Sequence, residues 1–303
     1  MVIGKRPDGT LQVIITTAGS TAENQMIWLF GVPQQLETRF EVREFEESGD
    51  VEINFAARYI LDERGIETEE DDTDRLDSLV ERFNGVFPST AIFSVFARNT
   101  LPDIDPRDDP DAALLAWMEQ EEKLFRRLEN QMVAIRLEEG FRVEDKADVD
   151  AFISYSLSVQ NRRKSRAGYA LEHHLDEIFR ESGLCYARQA VTENNARPDF
   201  LFPGADEYHD NAFPPDRLFM LGVKTTCKDR WRQVLSEAKR IRQKHLFTLE
   251  PAISVNQTSE MEAQHVCLVL PESLHSTYTY EQQGRLANLQ EFIALVKANQ
   301  NLV

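Results

Sequence analysis

Two short apolar runs, each with a charge at one end, constrain this chain most: Arg197-Pro198-Asp199-Phe200-Leu201-Phe202 and Leu218-Phe219-Met220-Leu221-Gly222-Val223-Lys224. Runs this short and apolar, bounded by turn residues, read as buried strands. Asp199 alone could be no more than a turn acid opening a strand. A lysine ending a buried strand is unusual without a partner charge. Together they suit phosphodiester hydrolysis. A carboxylate offers hard oxygen ligation to a divalent metal, and an ammonium group can position the attacking water and stabilise charge on a phosphorane-like transition state. Glu237 follows Lys224 by thirteen residues, inside a stretch from Asp229 to Lys244 that reads as a helix. It is either a second acid of the site or a surface acid paired i, i+3 with Arg240.

Bulk properties point elsewhere until they are divided along the chain. The 303 residues allow one large or two modest domains, and a net charge of −18 is not typical of a DNA binder. Residues 1–150 carry 16 Lys/Arg against 34 Asp/Glu, residues 251–303 carry 2 against 5, and residues 151–250 carry 16 against 13. The net basic segment is thus the one holding the charged strand ends, and local charge governs phosphate contact more than the global sum. Cys185, Cys227 and Cys267 are widely spaced, without metal-ligand pairing, and fit buried thiols in a reduced compartment. The chain opens on no basic and apolar leader, and no apolar run approaches membrane-spanning length. A soluble, cytoplasmic protein without membrane contact is expected.

Along the chain, residues 11–17, 26–32 and 40–45 read as strands, and the acidic stretch 62–74 as a solvated linker, which puts a boundary near residue 80. Helices are expected over 76–100, over 111–143 and over about 148–160, leading into a basic turn at Arg162-Arg163-Lys164-Ser165-Arg166. A further helix runs from Arg166 to a stop at Gly183, with Leu171, Leu175, Ile178 and Phe179 on one face. Strands near 185–191, 198–202, 218–225 and 265–270 alternate with helices at 229–244 and 282–297, an α/β order.

At these residues the chain closely resembles the catalytic domain of EcoRII-type restriction endonucleases, which are nucleases of the PD-(D/E)-x-K type. The matching segments are Ser158–Gly168, Arg197–Pro203 and, above all, Val223–Gln233, and the resemblance covers roughly residues 80 to 303. It implies a restriction-endonuclease-like α/β fold, a mixed sheet flanked by helices, over residues 81–303. A small β-rich amino-terminal module would occupy residues 1–80. In PD-(D/E)-x-K nucleases the second acid usually stands two residues before the lysine. That position is Gly222 here, and these relatives carry a displaced helical glutamate where Glu237 stands. The resemblance therefore implies Asp199 and Glu237 as ligands of Mg2+, with Lys224 assisting the attack. Glu172 is a further candidate, because a glutamate on the first helix often reaches the metal shell in this superfamily; the alternative is a solvated acid.

The relatives also carry a triplet that reads C·G pairs where Lys228, Asp229 and Arg230 stand. The chemistry fits, since lysine and arginine donate to guanine O6 and N7 while aspartate accepts from the cytosine amino group. An N-cap aspartate flanked by exposed basic residues would look the same. Tyr208 matches a position in the related enzymes, and Arg162 and Arg163 belong to a matching basic segment, so all three are candidate DNA contacts. His173, His174 and His209 match no zinc-ligand spacing. The function implied is a type II site-specific endonuclease cutting double-stranded DNA at a CCWGG-like site, where W is A or T. A near-palindromic target implies a homodimer. The alternatives are a DNA-binding module that has lost catalysis, or a repair or mobile-element nuclease of looser specificity. The EcoRII-type enzyme has a much longer amino-terminal effector domain that binds a second DNA site. Here that part is short and acidic, either a reduced effector or a dimerisation element, and a chain trimmed to residues 80–303 is expected to cleave one-site DNA.

Overall fold

The structure, a computed structural model, describes residues 2–5, 11–29, 55–63, 73–144, 146–227 and 230–300. It begins with an antiparallel hairpin of β1 (Val2–Lys5) and β2 (Leu11–Ile14), followed by helices α1 (Thr21–Leu29), α2 (Phe55–Glu63), α3 (Thr73–Val80) and α4 (Thr90–Asn99). Helix α5 (Pro110–Glu139) starts on an Asp109 cap with proline in the first turn, where a missing N–H costs nothing, and stops at Gly140, whose φ is 74°. A small hairpin of β3 (Arg142–Val143) and β4 (Lys146–Ala147) turns the chain into the 33-residue helix α6 (Val149–Glu181). Strands β5 (Ala187–Arg188) and β6 (Phe200–Phe202), helix α7 (Ala205–His209), strand β7 (Phe219–Lys224) and the one-turn helix α8 (Trp231–Val234) follow. The chain then runs through β8 (Lys244–Thr248), α9 (Val255–Ala263), β9 (Val266–Val269), α10 (Glu272–His275), α11 (Tyr280–Gln283), β10 (Leu286–Ala287) and α12 (Leu289–Gln300).

Six strands form one mixed sheet in the order β10-β9-β8-β7-β6-β5, with β5, β6 and β7 antiparallel neighbours and β7 to β10 parallel. Helices cover both faces, as expected for this fold class. Strands β6 and β8 are buried at every residue, which is why β6 reads as unbroken apolar sequence. Phe200 and Phe202 point to one face, where α6 (Leu171, Leu175, Phe179), α5 (Trp117) and α12 (Phe292) pack. Leu201 points to the other, among Met220, Leu246, Trp231, Val234 and Ala56. The register Phe200↔Leu221 extends outward by one step to set Asp199 across from Gly222, so the ends of β6 and β7 bring the two charged positions together.

Several sequence expectations need correction. Met26–Leu29 are helical, because Met26 and Leu29 pack on Ala57 and Ile60 of α2. Residues 30–32 and 40–45, and most of the acidic stretch, lie outside the described residues. Among the described residues the first 80 hold one hairpin and three helices, a larger helical share than expected for those residues. Leu76 and Val80 share a cluster with Phe93, Leu124 and Leu128, so residues on both sides of position 80 pack together. The helix expected over 76–100 is broken by Asn84 and Gly85, both in the left-handed region. The two helices expected over 148–160 and 166–183 are one, with the basic stretch in its interior. The helix expected over 229–244 lasts a single turn, and Lys244 opens a strand.

Candidate active site

Asp199 precedes β6 and Lys224 ends β7. The Asp199 Oδ2 accepts the Val223 backbone N–H at 2.6 Å and the Lys224 ammonium at 3.5 Å. The side chains keep 15% and 20% of their exposure, enough to meet a ligand from solvent. Backbone anchoring fixes the carboxylate where the ammonium can share it, and this supplies the partner charge that a buried strand end requires.

Glu237 reaches the same place from a turn after α8. Its Oε2 is shielded from solvent and has no hydrogen-bond partner among the described residues. Burial, and next the negative charge of Asp199, push its carboxyl up to about 7. Lys244 holds the turn in place, with its ammonium donating to the carbonyls of Glu237 and of Ala238, the latter at 2.6 Å. Gly222, two residues before Lys224, has no room for an acid of its own. A Cβ at that position would meet Val234 Cγ2 at 2.8 Å, so α8 occupies the space that a side chain on β7 would need. Glu172, half-buried on α6, completes the group. Arg188 approaches its Oε2 at 3.5 Å and the Gln189 side chain at 3.4 Å, while burial and then Asp199 raise its carboxyl.

Three carboxylates and one ammonium thus act on one another at the ends of β6 and β7. Among the described residues no three His, Cys, Asp or Glu side chains stand together as a ready-made metal cage. The donor chemistry nevertheless fits a hard divalent cation. Glu237 offers an unpartnered buried oxygen, and mutual repulsion with Asp199 is what a cation would relieve.

The candidate DNA contacts separate into two groups. Lys228 and Asp229 lie outside the described residues. Arg230, just beyond them, is exposed, and its guanidinium donates to the Thr226 carbonyl at 3.0 Å and hydroxyl at 2.9 Å. Tyr208, by contrast, is 2% exposed, with its hydroxyl donating to Glu193 at 2.6 Å and its ring beneath Arg240. It packs in a buried cluster with Leu201, Trp231 and Val234. Arg163, partly exposed, donates its Nε at 2.5 Å to the fully buried Glu129 of α5. Arg162 lies over the Phe87 ring at 4.7 Å. A buried acid of α5 and an aromatic ring of the segment before α4 are thus the partners of these two arginines. The three histidines serve the fold as well: His173 meets the Thr90 hydroxyl, His174 meets Glu121, and His209 meets the Val191 carbonyl.

A family profile described as EcoRII C terminal matches residues 125–293. The chain belongs to the EcoRII C-terminal family. It is 49% identical over 187 residues to the type II restriction enzyme EcoRII of Escherichia coli, a match covering 61% of this chain and 45% of that enzyme. It is 23% identical over 151 residues to the type II restriction enzyme SsoII of Shigella sonnei, covering 46% of this chain and 48% of SsoII. The chain therefore spans about half the length of the curated relatives it matches. Two solved structures share the fold. Ecl18kI in complex with uncleaved DNA gives a TM-score of 0.57 at 19% identity over 76% of this chain and 86% of its own. The PspGI–substrate DNA complex gives 0.55 at 14% identity over 76% and 96%.

Within this EcoRII-family domain, sequence reasoning missed Arg188 and Gln189. Gln189 holds a positive φ of 47°, donates its backbone N–H to the Asp199 carbonyl at 3.1 Å, and reaches Glu172 with its side chain. Nothing local marks the pair, because their role comes from the pairing of β5 with β6.

Proposed function

We propose that this protein is a metal-dependent type II endonuclease that hydrolyses double-stranded DNA at a CCWGG-like site. The observation that carries the proposal is the joining of Asp199, Lys224 and an unpartnered Glu237 carboxylate at the strand ends of an EcoRII C-terminal domain. The relatives' names support the reading, since EcoRII and SsoII are type II restriction enzymes and the Ecl18kI and PspGI structures are DNA complexes.

Asp199 and Glu237 would hold Mg2+, with Glu172 beside them. A bound ion of this kind supplies Lewis-acid stabilisation of phosphate charge and lowers the pKa of its water. The Val223 N–H keeps the Asp199 carboxylate oriented, and the Lys224 ammonium adds positive charge where a phosphate oxygen becomes more negative. Lys228, Asp229 and Arg230, following directly on Lys224, would read outer C·G pairs in the major groove. A twofold target calls for a homodimer with one site per strand. Residues 81–303 would form the catalytic domain and residues 1–80 a smaller module packed on it. Among the described residues no helix is long and apolar enough to cross a membrane, and a cytoplasmic setting beside DNA suits the reading.

The test is digestion by the purified full chain with Mg2+ of plasmids that carry or lack CCWGG sites. Discrete fragments from site-bearing DNA alone are expected. Asp199→Ala should abolish cutting while keeping specific binding, since the carboxylate serves chemistry and the 228–230 residues serve recognition. A smear, no cutting by the parent protein, or normal cutting by Asp199→Ala would each defeat the assignment.

A further inference from the structure

We propose that helix α1 positions the base-reading loop, acting through Gln25 and the buried carboxylate of Glu250. The inference rests on the reading of Lys228, Asp229 and Arg230 as base contacts. The described residues on either side of them, Thr225–Cys227 after β7 and Arg230, are held from beneath. Cys227 donates its N–H to Glu250 Oε2 at 2.5 Å, and Arg230 donates its own to the Cys227 carbonyl at 2.8 Å. Thr248 reaches the Thr225 carbonyl at 3.3 Å from the neighbouring strand.

Glu250 is 3% exposed, and its other oxygen, Oε1, accepts the Gln25 side-chain amide at 3.1 Å. Gln25 is itself 4% exposed and lies 225 residues away in sequence. A carboxylate removed from water must have its oxygens satisfied or it shifts to find donors. With the Gln25 amide on one oxygen and the Cys227 amide on the other, the amino-terminal helix sets where the loop begins. A second tie fixes the helix. The Thr21 hydroxyl accepts the Ser254 N–H at 3.0 Å and donates to Gln257 at 3.2 Å, both at the start of α9. Trp28 packs against the cluster that contains Cys227 and Trp231. The amino-terminal part is therefore a strut under the recognition loop, and a chain trimmed to residues 80–303 would lose a donor to Glu250.

The experiment uses the full chain with Gln25→Met, which keeps length and helix propensity but removes the donor, and with Gln25→Ala. Hydrogen–deuterium exchange of residues 225–231 is read alongside the cleavage preference for the cognate site over one with an outer C·G pair changed. Loss of a hydrogen bond to a charged group predicts exchange faster by about tenfold in this segment, with α6 unchanged, and a preference reduced by about tenfold. In an Arg230→Ala background, Gln25→Met should reduce the preference no further. Unchanged exchange at 225–231 in both variants overturns the proposal. So does a uniform rise across the whole chain, which would make α1 a general support and not a local one. Faster exchange with an intact preference leaves the strut standing and refutes the loop as the base reader.

Discussion

Replacing Gly222 tests the proposal that this site takes its second acid from Glu237. An ideal Cβ at Gly222 comes within 2.8 Å of Val234 Cγ2 and 3.6 Å of Leu246 Cδ1. Val234 is fully buried and β-branched, so it has few rotamers to retreat into. Its helix is one turn long and anchored by the equally buried Trp231. Gly222→Ala should therefore cost about 1–3 kcal/mol through overpacking. Val234→Ala alone should cost roughly 2 kcal/mol in lost burial and residual cavity. Together the two changes make room for each other, and the double variant should be more stable than the sum of the singles by about 1–2 kcal/mol. Equilibrium urea unfolding of the four proteins closes the cycle. Cleavage should fall in Gly222→Ala as well, because the adjacent Val223 N–H orients Asp199 at 2.6 Å. Moving the acid to the position usual in PD-(D/E)-x-K nucleases, as Gly222→Asp with Glu237→Ala, should leave the protein unable to cleave DNA. A Gly222→Ala protein as stable as the parent, or strict additivity in the cycle, would refute the steric account.

Two further outcomes are expected. Arg230→Ala should lose about 1–3 kcal/mol of discrimination per contacted pair; equal loss on specific and random DNA in a competition assay would make it a phosphate contact instead. Asp111 is 7% exposed, accepts the Leu289 N–H at 3.1 Å, and is pushed up to about 7 by burial. A folded value above the ordinary 3.8 of an aspartate means the native state keeps its proton longer, so this contribution is full at acidic pH and is lost as pH rises to about 7. Asp111→Asn keeps an acceptor and removes the charge. It should match the parent near pH 4 and exceed it at pH 8 by up to about 4 kcal/mol in thermal or urea unfolding; a variant weaker than the parent at pH 8 would contradict the burial argument.

The sequence by itself determined the sheet centre and the pair of charges at its edge. Strands β6 and β7 lie between helical layers, so burial on both faces wrote them as short unbroken apolar runs, and the charges that end those runs were conspicuous for that reason. Helix α5 was equally plain, expected over 111–143 and found over Pro110–Glu139. These signals are local, and local propensity and packing agree at each of them.

The tertiary structure alone decided the rest. Strand β8 was hidden because Lys244 and His245 read as polar until Lys244 is seen reaching back to the Glu237 carbonyl. The turn that delivers Glu237 depends on a left-handed Ala238, which no local pattern announces. The intramolecular partners of Arg162, Arg163 and Tyr208 could not be read from the sequence, because a basic or phenolic side chain has the same sequence signature whatever it meets. Those partners, Phe87, Glu129 and Glu193, lie 15 to 75 residues away in the chain, and only packing brings them near. The same holds for Gln25 and Glu250, 225 residues apart. A single chain states which groups carry charge, but the low dielectric surroundings and the donors that give those charges their roles come from elements distant in sequence.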